Sequence, residues 1–78
     1  MRILDDPTTR SAFVILIEDS SGPDFMLSDD IIVELTDSGD LACLELLNTP
    51  SFGTPFDEAA AKRAVTWVRE RLAHGAAS

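Results

Sequence analysis

The apolar run at residues 12–17 (Ala-Phe-Val-Ile-Leu-Ile) is the longest in the chain, and it constrains the fold most strongly. Its β-branched and aromatic side chains favour a strand, and the polar cluster that begins at Glu18 ends it. Successive side chains of a strand point to opposite faces of a sheet, so Phe13, Ile15 and Ile17 share one face and the other three share the second. Both faces of this strand therefore need cover.

Further strands are predicted before and after this run. Turn-forming clusters at residues 5–9 and 18–23 separate them, and the Asp-Ser-Gly-Asp loop at 37–40 predicts a hairpin in which glycine supplies a positive φ. In the segment after that loop, leucine, alanine and glutamate favour a helix, whereas its short length and the tight loop favour a paired strand. We predict a strand there. The predicted strands are residues 2–4, 12–17, 25–27, 31–36 and 41–47.

One amphipathic helix is predicted towards the C-terminus, at residues 56–74. A breaker-rich linker at 49–55 precedes it and supplies Thr54 as the N-cap and Pro55 as the first helical residue. Around the helix, apolar side chains fall within one arc and charged side chains lie opposite. Trp67 lies at the edge of this arc, where it serves either as a shoulder of the core or as an interface anchor.

These elements predict an α+β fold, a small antiparallel β-meander of four or five strands packed against one C-terminal α-helix. The 78 residues make a single domain, with the meander at residues 1–48. A single helix covers one face of a sheet, so the other face must be closed by curling of the sheet or by another subunit. We therefore expect a homodimer.

The candidate interface residues are those on that uncovered face, together with one acidic side chain in an apolar strand and the tryptophan at the edge of the apolar arc of the helix. Glu45 is a lone acid in an otherwise apolar strand; it either faces solvent on a sheet edge or accepts an arginine from a partner. The predicted interface residues are Phe13, Ile15, Ile17, Glu45 and Trp67.

The charge of the chain limits its partners. The net charge is −8, and residues 1–50 carry two arginines and eleven carboxylates, whereas residues 51–78 carry four basic side chains and three carboxylates. A field of this sign repels phosphate backbones and anionic lipids and favours basic proteins, so neither nucleic acid nor a membrane is an expected partner. No apolar run approaches the ~18 residues of a membrane span, and the N-terminus does not resemble a secretory signal. We expect a cytoplasmic protein.

No catalytic constellation is visible, and we predict that the protein is not an enzyme. The only histidine, His74, lies at the end of the predicted helix, where a cation gains from the helix dipole. Cys43 can form neither an internal disulfide nor a metal site alone, and its flanks indicate a small buried hydrophobe. Adjacent acidic pairs occur at strand ends, but the loop at 37–40 does not continue as a calcium-binding pattern. Neither a metal nor a cofactor is predicted.

Several short motifs in residues 1–48 resemble a small bacterial family designated domain of unknown function 2283. They are Met-Arg-Ile at 1–3, Asp6-Pro7, Ala-Phe-Val-Ile at 12–15, Asp-Ile-Ile-Val-Glu-Leu at 30–35, the loop at 37–40, and Leu-Glu-Leu-Leu at 44–47. Cys43 stands where that family usually has glycine, and the tyrosine common in its second strand is absent here. The resemblance implies a compact β-meander, and it supplies no catalytic residues.

Three functional hypotheses follow. The first is a non-enzymatic acidic protein-interaction module, for example an antitoxin-like partner that masks a small basic protein. The second is a small accessory or ligand-binding protein of a metabolic pathway, with a pocket between helix and sheet near Phe52, Phe56 and Trp67. The third is an enzyme that uses one of the carboxylate pairs. The acidic excess over residues 1–50 and the surplus apolar sheet surface favour the first.

Overall fold

Short apolar stretches separated by turn-forming clusters give five strands in the computed structural model, which describes residues 1–75. The strands are β1 (Arg2–Asp6), β2 (Ser11–Ile15), β3 (Asp24–Ser28), β4 (Ile31–Leu35) and β5 (Leu41–Leu46). A 3₁₀ turn, Thr49–Ser51, leads to the helix α1 (Glu58–Gly75). The predicted α+β fold is confirmed, and the segment that could have been helix or strand is a strand. Within residues 1–75, no helix combines the length and the apolar character that crossing a membrane requires.

All neighbouring strands are antiparallel, in the order β1-β2-β5-β4-β3. The last three strands form a meander, and the β1–β2 hairpin adds to it beside β5. Strand β5 is therefore the centre of the sheet, and β1 and β3 are its edges. The connection at residues 16–23 carries the chain from β2 past the end of the β4–β5 hairpin to the far edge.

Strand β2 is shorter than the sequence predicts, and this changes the position of Ile17. The strand ends at Ile15, and the next two backbone N–H groups, of Leu16 and Ile17, both donate to the Ala42 carbonyl oxygen, at 2.8 and 3.0 Å. Two successive donors on one acceptor break the alternation of the strand. The prediction that Ile17 shares a strand face with Phe13 is therefore wrong.

The helix covers one face of the sheet. Val14, Leu44 and Val33, from three adjacent strands, are fully buried beneath it. The helix contributes Ala60, Ala61, Ala64, Val65 and Val68 to this core. The small alanines allow its N-terminal half to lie close to the sheet, and the predicted apolar arc is confirmed, with charged side chains exposed on the opposite side.

The helix begins at Glu58, two residues after the start of the predicted range 56–74 and three after Pro55, because Asp57 supplies the cap. The Asp57 carboxylate accepts a hydrogen bond from the Ala60 N–H at 2.9 Å, and its carbonyl oxygen accepts the first helical bond from Ala61. Phe56, the first residue of the predicted range, instead points into the core and is 9% exposed. The prediction of Thr54 as N-cap and Pro55 as first helical residue is therefore wrong.

Replacing the cap should weaken the helix measurably. Asp57→Ala leaves the Ala60 N–H without its side-chain acceptor, and we expect the free energy of unfolding to fall by about 1 kcal/mol. Urea titration followed by circular dichroism measures it. Thr54→Ala is the matched control and should change stability by less than about 0.5 kcal/mol; a larger loss at Thr54 than at Asp57 would contradict this assignment of the cap.

Candidate functional site

The sheet face opposite the helix is uncovered, and we call it the open face. Residues paired across antiparallel strands point to the same side, about 4.5–5.5 Å apart at Cβ. The pairing gives two rows across this face: Leu4, Phe13, Glu45, Ile32 and Met26 in one, and Arg2, Ile15, Cys43, Glu34 and Asp24 in the other.

The first row is mostly apolar and accessible. The Met26, Leu4 and Phe13 side chains are 60%, 46% and 43% exposed, and Ile32 is half-buried. The sheet does not curl over this face, so that way of closing it, one of the two expected from the sequence, is wrong. Exposed apolar side chains grouped in this way are typical of a docking site.

The two rows contain three carboxylates, of which Glu45 and Glu34 lie among these apolar side chains and Asp24 is exposed on the edge strand β3. Glu45 pairs with Phe13 on one side and Ile32 on the other, and Glu34 pairs with Cys43. Both glutamates are half-buried. Because Glu45 belongs to the central strand, the predicted sheet-edge position is wrong, although its side chain lies on the solvent-facing open face.

Arg2, the one cation in the two rows, already forms a salt bridge with Glu18. Arg2 donates to both carboxylate oxygens of Glu18, from Nε at 2.7 Å and from Nη2 at 3.1 Å. These hydrogen bonds hold the pKa of Glu18 below its ordinary value. The centre of the open face therefore carries negative charge that Arg2 does not neutralise.

Partial burial and the negative charge of the open face both affect the pKa of the Cys43 thiol. Partial burial raises its pKa above the ordinary value, and the negative charges of Glu34, Glu45 and Glu18 raise it further. A thiolate is the nucleophilic form of cysteine, so this environment disfavours reactivity. Cys43 is half-buried on the open face, in part agreement with the small buried hydrophobe that the sequence predicts.

Alkylation should show the raised pKa of Cys43 directly. We expect the midpoint of the rate–pH profile with iodoacetamide to lie at higher pH for the native chain than for the chain unfolded in urea. The reason is that the Cys43 thiol of the folded chain loses its proton only at higher pH. Glu45→Gln should move the native midpoint down, whereas Glu70→Gln on the outer helix surface should not. Coincident native and unfolded midpoints would contradict the assignment.

A second feature, which we call the Trp67 groove, lies on the helix side of the molecule. It has a volume of about 600 Å³. Trp67 meets the Phe52 ring edge-on, with centroids 6.3 Å apart, and the Arg71 guanidinium lies 5.3 Å from the centre of the Trp67 ring. Arg63 donates from Nε and Nη2 to the Phe52 carbonyl oxygen, at 3.0 and 2.7 Å. The groove is lined by Ser28, Asp30, Ile31, Asn48, Ser51, Phe52, Arg63, Trp67 and Arg71.

Three of the five predicted interface residues come together, and two do not. Phe13, Ile15 and Glu45 share the open face. Ile17 follows the end of β2 and is 42% exposed. Trp67, 38% exposed, belongs to the helix on the other side of the sheet.

The sequence prediction missed several members of both features. Leu4 and Met26 belong to the open face because their strands, β1 and β3, form the two edges of the sheet. A single sequence does not show this strand order. Glu34 was detectable, since it alternates with Val33 and Leu35. Arg63 and Arg71 were detectable too, because they lie four residues to either side of Trp67 on one helix stripe.

The comparisons with known proteins add no relative. No family model, curated protein or solved structure matches this chain. The resemblance of residues 1–48 to the domain of unknown function 2283 therefore stays a prediction. Within residues 1–75, no group of three or more histidine, cysteine or acidic side chains is placed to hold a metal ion.

Proposed function

We propose that this chain is a non-enzymatic protein-interaction module whose open face binds a basic protein. The observation that carries the proposal is the position of Glu45, half-buried between Phe13 and Ile32 at the centre of an apolar surface. A carboxylate in such a place is stabilised by a cation that is buried with it, and is costly to bury without one.

The chemistry of a basic partner fits the two rows. Arginine and lysine lay their apolar stems along hydrophobic surface while the charged head reaches an acid. A partner arginine crossing Phe13 or Ile32 would meet Glu45, and a second would meet Glu34 in the next row. The fork of an arginine binds a carboxylate through two hydrogen bonds, which adds specificity to the contact.

A second copy of the chain is the competing occupant, and charge disfavours it. In a twofold-symmetric dimer the same patch faces itself, so residues near its centre approach their own counterparts. Glu45 and Glu34 of both copies would then be desolvated together, while Arg2 is held by Glu18. The homodimer expected from the sequence would have to bury these four carboxylates with Arg2, already paired with Glu18, as the one cation in the two rows of each open face.

One concrete form of this function is antitoxin-like. A small basic protein whose active surface binds phosphate backbones would be masked by an acidic, partly apolar face of this kind. The net charge of −8 would speed the encounter of the two proteins through long-range attraction.

Site-specific photocrosslinking in the natural host tests the proposal. A benzophenone amino acid replaces Phe13 on the open face or, as the positional control, Arg69 on the exposed side of the helix. We expect position 13 alone to capture a basic protein. Glu45→Gln should lower the yield at least about tenfold, because it leaves the partner cation unpaired. Glu70→Gln, with the same change in charge, should not.

Three outcomes would overturn the proposal. They are capture of only a second copy of the chain, equal products from positions 13 and 69, and no product at position 13 in a variant that circular dichroism shows to be folded.

A further inference from the structure

The Trp67 groove carries an inference that is independent of the open face. One wall is a single helix stripe, in which Arg63, Trp67 and Arg71 follow one another at four-residue intervals. The Phe52 ring meets Trp67 edge-on and extends the aromatic surface of this wall. A volume of about 600 Å³ falls within the usual size of small-molecule sites.

The two arginines of the groove are held in place and retain free donors. A cation–π contact with Trp67, 5.3 Å from the guanidinium carbon to the ring centre, positions Arg71 and leaves its edge N–H groups free. Arg63 uses Nε and Nη2 on the Phe52 carbonyl, which leaves its Nη1 donors uncommitted. Among the residues that the structure describes, neither arginine forms a salt bridge, although the chain has fourteen carboxylates.

The charge of the groove sets the charge of its ligand. Two guanidinium groups face one carboxylate there, that of Asp30, so the groove carries a local excess of one positive charge. The rest of the molecule is strongly negative and repels multiply charged anions. A single carboxylate matches the local excess and accepts two parallel hydrogen bonds from an arginine.

We infer that the Trp67 groove binds a small aromatic monocarboxylate, with the carboxylate on the edge of Arg71 and the flat ring against Phe52 and Trp67. Offset or edge-on contact with two aromatic rings favours a planar ligand over an aliphatic one. Ser51 and Asn48 at the rim supply further polar groups for substituents on the ring.

The indole N–H resonance of Trp67 provides the test, since the chain has one tryptophan. The uniformly ¹⁵N-labelled protein is titrated with 2-naphthoate, with its neutral analogue 2-naphthamide, and with acetate. We expect saturable shifts of the Trp67 indole signal with 2-naphthoate, and at least about tenfold weaker binding of the other two ligands. 2-Naphthamide lacks the negative charge and acetate lacks the aromatic ring, so their weaker binding would show that both groups contribute to the affinity.

Two variants with the same change in charge locate the site. Arg71→Gln should weaken 2-naphthoate binding about tenfold. Arg69→Gln, exposed on the same helix but outside the groove, should leave it within about twofold. Equal weakening by both variants, equal affinity for acetate or 2-naphthamide, or shifts that never saturate would each overturn the inference. None of these outcomes depends on the open face.

Discussion

Gly22→Ala should destabilise the protein by about 3 kcal/mol or more, because there is no room for a methyl group at this position. A Cβ on Gly22 would overlap the Leu35 carbonyl oxygen and come within 2.7 Å of the Thr36 carbonyl carbon. These are backbone atoms at the end of β4, which cannot move aside as a flexible side chain can. The connection from β2 to β3 passes the end of β4 at this point, and the Pro23 carbonyl accepts the Leu35 N–H at 2.9 Å.

Urea titration of Gly22→Ala measures the loss, with Trp67 fluorescence and circular dichroism as independent probes. Ser21→Ala, at the exposed neighbouring residue, is the control and should stay within about 0.5 kcal/mol of the native chain. A Gly22→Ala protein as stable as this control would mean that the connection does not pack against the backbone of Leu35 and Thr36.

Leu44→Ala should cost about 3 kcal/mol, within the range of about 2–5 kcal/mol found for a fully buried leucine. Leu44 is 0% exposed, lies on the central strand and pairs with Val14 and Val33. Its neighbours are held by the helix above and the sheet around it, so the cavity cannot collapse easily. A domain of this size has a total stability on the order of 4–10 kcal/mol, so this substitution removes a large share.

The adjacent residue on the same strand provides a matched control for Leu44→Ala. Cys43 points to the open face, and Cys43→Ala should cost less than about 1 kcal/mol. The contrast between the two substitutions measures how unequally the two faces of the sheet are covered. Similar losses at both positions would contradict the assignment of a single covered face.

Local patterns in the sequence were sufficient for most elements. The alternation at Ile31, Val33 and Leu35 identified β4, and the loop at 37–40 identified the hairpin to β5, with Gly39 at a φ of 91°. The apolar arc of the helix predicted its buried face. Each of these signals depends on neighbours within a few residues, which a single sequence contains.

The remaining features depend on contacts between distant parts of the chain. The pairing of β2 with β5 joins residues about thirty positions apart, and it decides that Glu45 is central and that Leu4 and Met26 border the open face. The helix start was misplaced because Thr54 and Asp57 are both good caps, and burial of Phe56 selects Asp57. The Trp67 groove needs the 3₁₀ turn to bring Phe52 against the helix.

The helix covers one face of this sheet, and the opposite face carries the exposed side chains of Leu4, Phe13 and Met26. Methyl NMR of the purified chain with a soluble gadolinium chelate measures that difference directly, because the chelate broadens the signals of methyl groups it can approach. We predict strong broadening of the Leu4 and Met26 methyl signals and protection of those of Leu44 and Leu46, which are fully buried. Protection of Leu4 and Met26 equal to that of Leu44 would contradict the account, since a second copy or a refolded sheet would then already cover the open face.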